Sequence, residues 1–224
     1  MYKLLPAQVL LVALALCCQK DNGSQNFDLA GALCYWSFAH VTGTTLSDES
    51  GNANNGICVN TTVEPGSLFF DRVGSYVQLN NLSLFDALHQ FSIIAKVKLK
   101  TLDTSGISWG RHLLRKENTI AFGFDASGTL GIWLYHNGWL GSWVFSTNGV
   151  DTNWHEVAAV WDGQKVSLYI DTVKDTNELA FPYPLAINTN GIFIGEFGSS
   201  RQEGLNGSIS VLALYPFIKT HFVN

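Results

Sequence analysis

Apolar and polar residues alternate with a period of two through most of this chain. In FSIIAKVKLK, residues 91–100, every second side chain from Phe91 to Leu99 is apolar, and three lysines fall on the alternate positions. A period of two places successive side chains on opposite faces of a β-strand. Similar segments occur at 34–40, 67–71, 75–80, 119–125, 129–136, 141–147, 155–162, 165–171, 191–197 and 208–215. The pattern therefore predicts many short strands, each with one face toward a core.

Short turn sequences separate these segments. DASG at 125–128, NG at 137–138, DG at 162–163 and NG at 190–191 combine residues that tolerate positive φ. Only SLFDALHQ at 83–90 and HLLRKEN at 112–118 have the composition of a helical turn. Hydrophobic residues make up 46% of the chain, which is enough for a large core. We therefore predict an all-β protein that folds as one two-sheet antiparallel β-sandwich.

The N-terminal residues have the features of an export signal. An apolar run, LLPAQVLLVALALCC, follows Lys3 and is too short to span a membrane comfortably. We predict a signal peptide at 1–18, a polar tether at 19–28 and a single domain at 29–224. Two routes stay open: secretion, or a lipid anchor on one of the leader cysteines as the only membrane contact. Both predict an extracellular or cell-surface protein, and the net charge of -5 argues against nucleic acid as a partner.

Two cysteines, Cys34 and Cys58, lie beyond the leader. In an oxidising compartment, a pair of cysteines that flank one irregular loop favours a disulfide. The alternative is a pair of buried thiols that never bond to each other.

Several segments, in order, resemble those of the laminin-G-like, or concanavalin A-like lectin/glucanase, jelly roll. They are YWSFAHVTGTTLSDESGNANNGICVN, SLFFDRVGSYVQL, FSIIAKVKL, NWHEVAAVWDGQKVSLYID and IFIGEFGSSRQEGLNGSISVLALY. The fourth is the most specific, because it is similar to the family's W-H-x-V-A…D-G…L-Y-V-D-G hairpin. The resemblance covers about residues 34–217 and implies a concanavalin A-like jelly roll.

That resemblance implies a use for the Asn- and Gly-rich loop LSDESGNANNGICVN at 46–60. In the family this ordered turn often lies near a calcium ion, which prefers oxygen ligands. The implied ligands are Asp48, Asn52, Asn55 and, more distantly, Asp71. Ser210 and Val211 replace the family's late Asp-Glu pair, which lowers the affinity expected for calcium. The alternative is a turn without an ion, because Gly and Asn tolerate positive φ.

Two patterns bear on catalysis. GISWG at 106–110 matches the nucleophile-elbow pattern with Ser108 as nucleophile, but no strand-turn-helix pattern surrounds it, and we interpret it as a chance match. Retaining glucanases need two carboxylates about 5 Å apart. Glu156, Asp162 and Asp171 instead lie at predicted strand ends and turns. We therefore predict a protein that is not an enzyme, with a cryptic glycoside-active enzyme as the catalytic alternative.

The hairpin at 130–146, LGIWLYHNGWLGSWVFS, supplies the candidate binding residues. A two-residue turn at its Asn-Gly pair would place Ile132 opposite Trp143. That register puts both of these side chains in the core. It turns Trp133 and Tyr135 to the outer, concave face of the sandwich.

Aromatic side chains on such a face are typical of sugar-binding platforms or of protein contacts. The predicted ligand-binding residues are Trp133, Tyr135, His136 and Ser142. The alternative is that a loop of the same chain, such as FPYPL at 181–185, covers the aromatic pair. We predict a carbohydrate-binding module, because His136 and Ser142 supply polar neighbours. An adhesion or structural module that binds an extracellular protein or the matrix is the alternative.

Overall fold

The computed structural model describes residues 29–102, 109–138, 140–196 and 204–219. Within these ranges the chain forms strands and turns without a helix. The strands are β1 (Cys34–Ser37), β2 (Val41–Thr42), β3 (Thr45–Leu46), β4 (Gly56–Val59), β5 (Thr62–Glu64), β6 (Ser67–Asp71), β7 (Tyr76–Leu79), β8 (Phe91–Leu99), β9 (Trp109–Lys116), β10 (Ile120–Asp125), β11 (Thr129–His136), β12 (Leu140–Gly149), β13 (Trp154–Trp161), β14 (Lys165–Ile170), β15 (Val173–Ala180), β16 (Ile192–Ile194) and β17 (Asn206–Tyr215). The all-β prediction is confirmed.

The strands form two antiparallel sheets that pack face to face. The eight-stranded sheet has the order β15-β14-β13-β8-β17-β6-β5, with β1 also paired to β17. The nine-stranded sheet has the order β12-β11-β10-β9-β16-β7-β4-β3-β2. Apolar side chains from both sheets form one core cluster, which includes the alternating residues Phe91, Ile93, Ala95, Val97 and Leu99 of β8. The predicted two-sheet sandwich is therefore confirmed, and β8 keeps the period of two along its whole length.

Several segments differ from the sequence-based prediction, among them the short strands β2 to β5, which lie in or beside the predicted loop at 46–60. Residues 112–118, predicted as a helical turn, lie largely in β9. A register shift opposite Phe122 lets Leu113 and Leu114 both join the core, which hides the alternation in the sequence. Strand β15 was not predicted, because it is an edge strand whose polar side chains are mostly exposed.

The structure contains no bond between Cys34 and Cys58, which are both buried free thiols. This differs from the expected disulfide. Cys34 lies on β1 of the eight-stranded sheet and Cys58 on β4 of the nine-stranded sheet. Burial raises the pKa of both thiols, and each has a different hydrogen-bond partner, Asn54 for Cys34 and Thr61 for Cys58. Each thiol therefore packs in the core as a small, uncharged side chain.

Several predictions concern parts of the chain outside the described residues. These are the signal peptide at 1–18, the tether at 19–28 and the nucleophile candidate Ser108. Among the residues that the structure does describe, no helix is long and apolar enough to cross a membrane.

Candidate functional site

The hairpin of β11 and β12 pairs one residue away from the predicted register. His136 is opposite Leu140, so three residues rather than two separate the paired strands. As a consequence, Trp133 is opposite Trp143. Directly opposite residues of an antiparallel pair point to the same face. The prediction that Trp143 lies in the core is therefore wrong, and 53% of this residue is exposed.

Trp133, Tyr135 and Trp143 form an aromatic patch on the outer face of the nine-stranded sheet. The rings of Trp133 and Tyr135 are stacked, with centroids 5.8 Å apart and an interplanar angle of 4°. The rings of Trp133 and Trp143 are 4.8 Å apart at 42°. As predicted, Trp133 and Tyr135 point away from the core that Leu134 and its alternate neighbours enter. In this patch the rings of Trp133 and Tyr135 are half-buried, and the indole of Trp143 is exposed.

Gly141 on β12 makes this arrangement fit. It is directly opposite Tyr135. A Cβ atom at Gly141 would lie 2.3 Å from Nε1 of Trp133 and 3.0 Å from Cδ1 of Tyr135. The missing side chain therefore lets both rings pack down on the β12 backbone. A glycine inside a strand often indicates such a close approach, and this was the sequence signal for the true register.

The other two predicted ligand-binding residues do not share the face of the patch. Ser142 is opposite Leu134, whose side chain is in the core. His136 alternates away from Tyr135, and its ring stacks on Tyr183 with centroids 4.1 Å apart at 13°. Tyr183 belongs to the loop considered as a cover for the aromatic pair. The hairpin thus has two different faces, and the predicted polar neighbours lie on the inner one.

The Asn- and Gly-rich loop is fastened to β1 through the carboxylate of Asp48. Its Oδ1 accepts hydrogen bonds from the backbone N–H of Tyr35 at 3.0 Å and of Ser50 at 2.9 Å. Its Oδ2 accepts a hydrogen bond from the N–H of Asn54 at 2.9 Å. The N–H of Asp48 in turn donates to Oδ1 of Asn55 at 2.8 Å. One buried carboxylate therefore satisfies three backbone donors from two separate segments.

Asparagine side chains complete this attachment. Nδ2 of Asn52 donates to the carbonyls of Ala32 and Leu33 at 3.0 and 3.1 Å. Nδ2 of Asn54 also donates to Leu33 O, at 2.8 Å, and the backbone carbonyl of Asn54 accepts from the Trp36 indole at 2.8 Å. The density of asparagine in the loop thus has a structural explanation, because these side chains satisfy the backbone just before β1.

The four implied calcium ligands are only partly brought together. Asp48, Asn52 and Asn55 lie in one hydrogen-bonded loop, but the carboxylate of Asp48 and Oδ1 of Asn55 already accept backbone N–H groups. Asp71 ends β6 in the other sheet, where it accepts from Val73 N at 3.1 Å. Across the described ranges, no three His, Cys, Asp or Glu side chains are grouped as a metal site requires. The hydrogen bonds within the loop support the alternative of an Asn- and Gly-rich turn that needs no ion. Calcium binding stays a prediction.

We expect millimolar calcium to raise the melting temperature by less than about 2 °C, which is under ~1 kcal/mol for a chain of this size. An ion that binds only the native state must raise the melting temperature, but here backbone donors occupy the anionic oxygens. Thermal unfolding with calcium and with a chelator measures the shift. A large shift that Asp48→Asn abolishes would contradict the expectation.

His155, the histidine of the W-H-x-V resemblance, bridges two carboxylates. Its Nδ1 lies 2.7 Å from Oδ2 of Asp171, and its Nε2 lies 2.9 Å from Oδ1 of Asp151. Burial acts to lower the pKa of His155, but the hydrogen bonds to Asp151 and Asp171 outweigh it, and the pKa is raised. Asp171 also accepts the N–H of Glu156 at 3.0 Å. The cluster therefore ties the start of β13 to the residue that follows β14.

The remaining acids considered for catalysis have different surroundings. Asp162 accepts the N–H groups of Gln164 and Lys165, both at 2.8 Å, as expected for a turn acid. Glu156 is 8% exposed and is opposite Lys96 on β8. Burial is the main cause that raises the pKa of Glu156, and Asp171 adds to it.

Stability is expected to fall as the pH rises through neutrality. A histidine whose pKa is raised on folding contributes stability below its unfolded value of 6.5, and this is lost above the folded pKa. The raised pKa of Glu156 acts in the same direction at lower pH. Urea unfolding between pH 5 and pH 8 measures the slope, and His155→Gln should flatten it near neutrality. An unchanged slope in that variant would contradict the assignment.

A family model matches residues 71–220, and its description is the concanavalin A-like lectin/glucanases superfamily. This match covers more than half of the chain and includes the β11–β12 hairpin. The chain belongs to this superfamily. No curated protein sequence matches it.

Solved structures share the fold of this concanavalin A-like chain at low sequence identity. The binding domain of Paraclostridial Mosquitocidal Protein 1 matches with a TM-score of 0.68 and 14% identity, over 86% of this chain and 50% of that one. The binding domain of botulinum neurotoxin serotype D/C matches with a TM-score of 0.64, 14% identity and the same coverage. A Trypanosoma rangeli sialidase matches with a TM-score of 0.63 and 15% identity, over 85% of this chain and 31% of the sialidase. The chain thus spans half or less of these proteins, and the likeness shows the fold alone.

Proposed function

We propose that this protein is an exported, non-catalytic binding module whose aromatic patch takes a carbohydrate. The observation that carries the proposal is the exposed Trp143 indole, held beside Trp133 and Tyr135 on the outer face of the sheet. An indole fixed in this way offers a flat apolar surface, and sugar rings have apolar faces that can lie on it. Two of the structural relatives are themselves described as binding domains of toxins, which fits a binding role.

A protein or matrix partner is the second candidate, and specific exposed side chains favour it. Leu140 is 59% exposed, Tyr183 46% and Ile187 68%. Leu140 is opposite His136, and the His136 ring stacks on Tyr183, so Leu140 and Tyr183 both lie beside His136 at the hairpin end. Protein-binding surfaces are broader and more apolar at their centre than sugar sites.

A glycan-array screen of the protein, with and without calcium, tests the first candidate. We expect binding to a restricted set of glycans that Trp143→Ala removes. Gly141→Ala should also weaken it, because the added methyl group displaces the Trp133 ring while every aromatic remains. Retained binding in Trp143→Ala would overturn the patch as the site. Hydrolysis of a bound glycan would instead support the glycoside-active alternative. One of the proteins with a similar fold is a sialidase.

A further inference from the structure

A row of side chains crosses the outer face of the eight-stranded sheet, away from the aromatic patch. Trp154 on β13 is opposite Lys98 on β8. Lys98 is opposite Ser208 on β17, and Ser208 is opposite Phe69 on β6. Opposite residues in antiparallel strands share one face, and none of these four belongs to the core cluster. The row therefore lies on one outward surface.

A cleft of about 480 Å³ lies over this row, and we call it the lysine cleft. Its further lining includes Glu64, Ser67 and Lys100. Binding sites for small molecules commonly measure roughly 300–1,000 Å³. Ser208 is small and forms the floor, while the Trp154 side of the cleft is open, with 39% of Trp154 exposed. The cleft thus has an aromatic wall at each end of the row.

The charges in the lysine cleft are not balanced internally. In the described part of the chain, no carboxylate lies within ion-pair distance of Lys98 or Lys100. Nζ of Lys100 lies 4.9 Å from the ring centroid of Phe69, which places its charge over the cleft. The one acid, Glu64, is held by the hydroxyls of Ser208 at 2.8 Å and Ser67 at 3.2 Å. A net positive site on a chain of net charge -5 indicates a preference for an anion.

We propose that the lysine cleft binds an acidic saccharide, a sugar ring that carries a carboxylate or a sulfate. The two ammonium groups pair with the acid, and the Trp154 indole takes the apolar face of the ring. Glu64, on the edge strand β5, accepts a sugar hydroxyl. Lysines on a strand face are usually only solvated. Here they share a cleft with two aromatic rings and one fixed carboxylate. This combination suits a sugar ring that is both polar and anionic.

Calorimetric titration of the full protein with three probes tests this proposal. The probes are tri-galacturonate, a sulfated dextran oligosaccharide and neutral maltotriose. We expect an acidic probe to bind, maltotriose to bind at least about tenfold more weakly, and added salt to weaken only the acidic probe. Lys98→Gln should lower the affinity up to about fivefold, and Trp154→Ala by about two- to tenfold. Tighter binding of tri-galacturonate would indicate that the cleft prefers a carboxylate, and tighter binding of the sulfated dextran would indicate that it prefers a sulfate.

Two matched variants test whether acidic probes bind at the lysine cleft in particular. Lys174→Gln removes one positive charge at the β15 edge of the same sheet, where Lys174 pairs with Glu178 at 2.6 Å. Trp143→Ala removes the exposed indole of the aromatic patch. Both should leave binding of the acidic probe unchanged. Equal losses in Lys98→Gln and Lys174→Gln, equal affinity of Trp143→Ala for maltotriose and for the acidic probe, or no binding of either acidic probe at millimolar concentration would each overturn the proposal. If Trp154→Ala fails to fold, the exposed Lys98→Gln variant decides the outcome.

These experiments test the aromatic patch and the lysine cleft as binding sites independently of each other. Loss of array binding in Trp143→Ala with tri-galacturonate binding intact supports two sites on opposite faces. If glycan binding is weakened only by Trp154→Ala and Lys98→Gln, the lysine cleft is the recognition site. The aromatic patch then has no part in the proposed function.

Discussion

Asp48→Ala is expected to lower the free energy of unfolding by about 4 kcal/mol. The Asp48 carboxylate is 9% exposed and accepts three backbone N–H groups. Those of Tyr35 and Asn54 are buried hydrogen bonds, so alanine leaves two buried donors without an acceptor. Each buried donor left unpaired costs about 1–3 kcal/mol. A loss of this size is a large part of the roughly 5–15 kcal/mol that stabilises a typical domain.

Urea unfolding monitored by tryptophan fluorescence measures this loss. Asp48→Asn keeps the size of the side chain and one acceptor oxygen, so its effect should be smaller. The matched control is Asp162→Ala, because Asp162 also accepts two backbone N–H groups, but in an exposed turn. Water can replace those bonds, and the expected loss is about 1 kcal/mol or less. Similar losses for Asp48→Ala and Asp162→Ala would show that the loop does not hold β1.

The strands that the sequence predicts well are those whose alternation is unbroken. The register of β8 on β13 follows from apolar side chains at every second position of β8, and no shift interrupts this pair. The alternation fails in β9, where a bulge puts Leu113 and Leu114 on the same side. It is also absent from β15, an edge strand that buries little. Bulges and edges depend on what the neighbouring strand does, and a single strand's sequence does not contain that information.

The candidate sites show the same limit at the level of single residues. The alternation within β11 alone predicts the outward direction of Trp133 and Tyr135, whereas that of Trp143 depends on the length of a turn. One added residue in that turn moves every β12 side chain to the other face. The lysine cleft was not predicted. Its residues come from β5, β6, β8, β13 and β17, which are brought together only by the strand order of the sheet.

Trp143→Ala and Trp161→Ala are expected to have opposite effects. Trp161 is 2% exposed, packs against Phe91 and Phe181, and donates its indole N–H to Phe181 O at 2.9 Å. Truncating such a core aromatic costs about 3–5 kcal/mol of unfolding free energy. Trp143 is more than half exposed, and its main ring contact is Trp133. Its truncation should cost about 1 kcal/mol or less and lower the affinity for an array-positive glycan about tenfold.

Urea unfolding of both variants, with titration of that glycan into Trp143→Ala, separates the two roles. The stability result depends on the register alone and needs no ligand. If Trp143→Ala loses about 3–5 kcal/mol, as a core residue would, then Trp143 faces inward and the hairpin has the two-residue turn. If stability is kept and glycan affinity is also kept, the register holds but the patch is not the sugar site. The register and the sugar site are both supported only if Trp143→Ala keeps its stability and loses affinity for the glycan. The Trp143 indole then contributes to ligand binding and not to core packing.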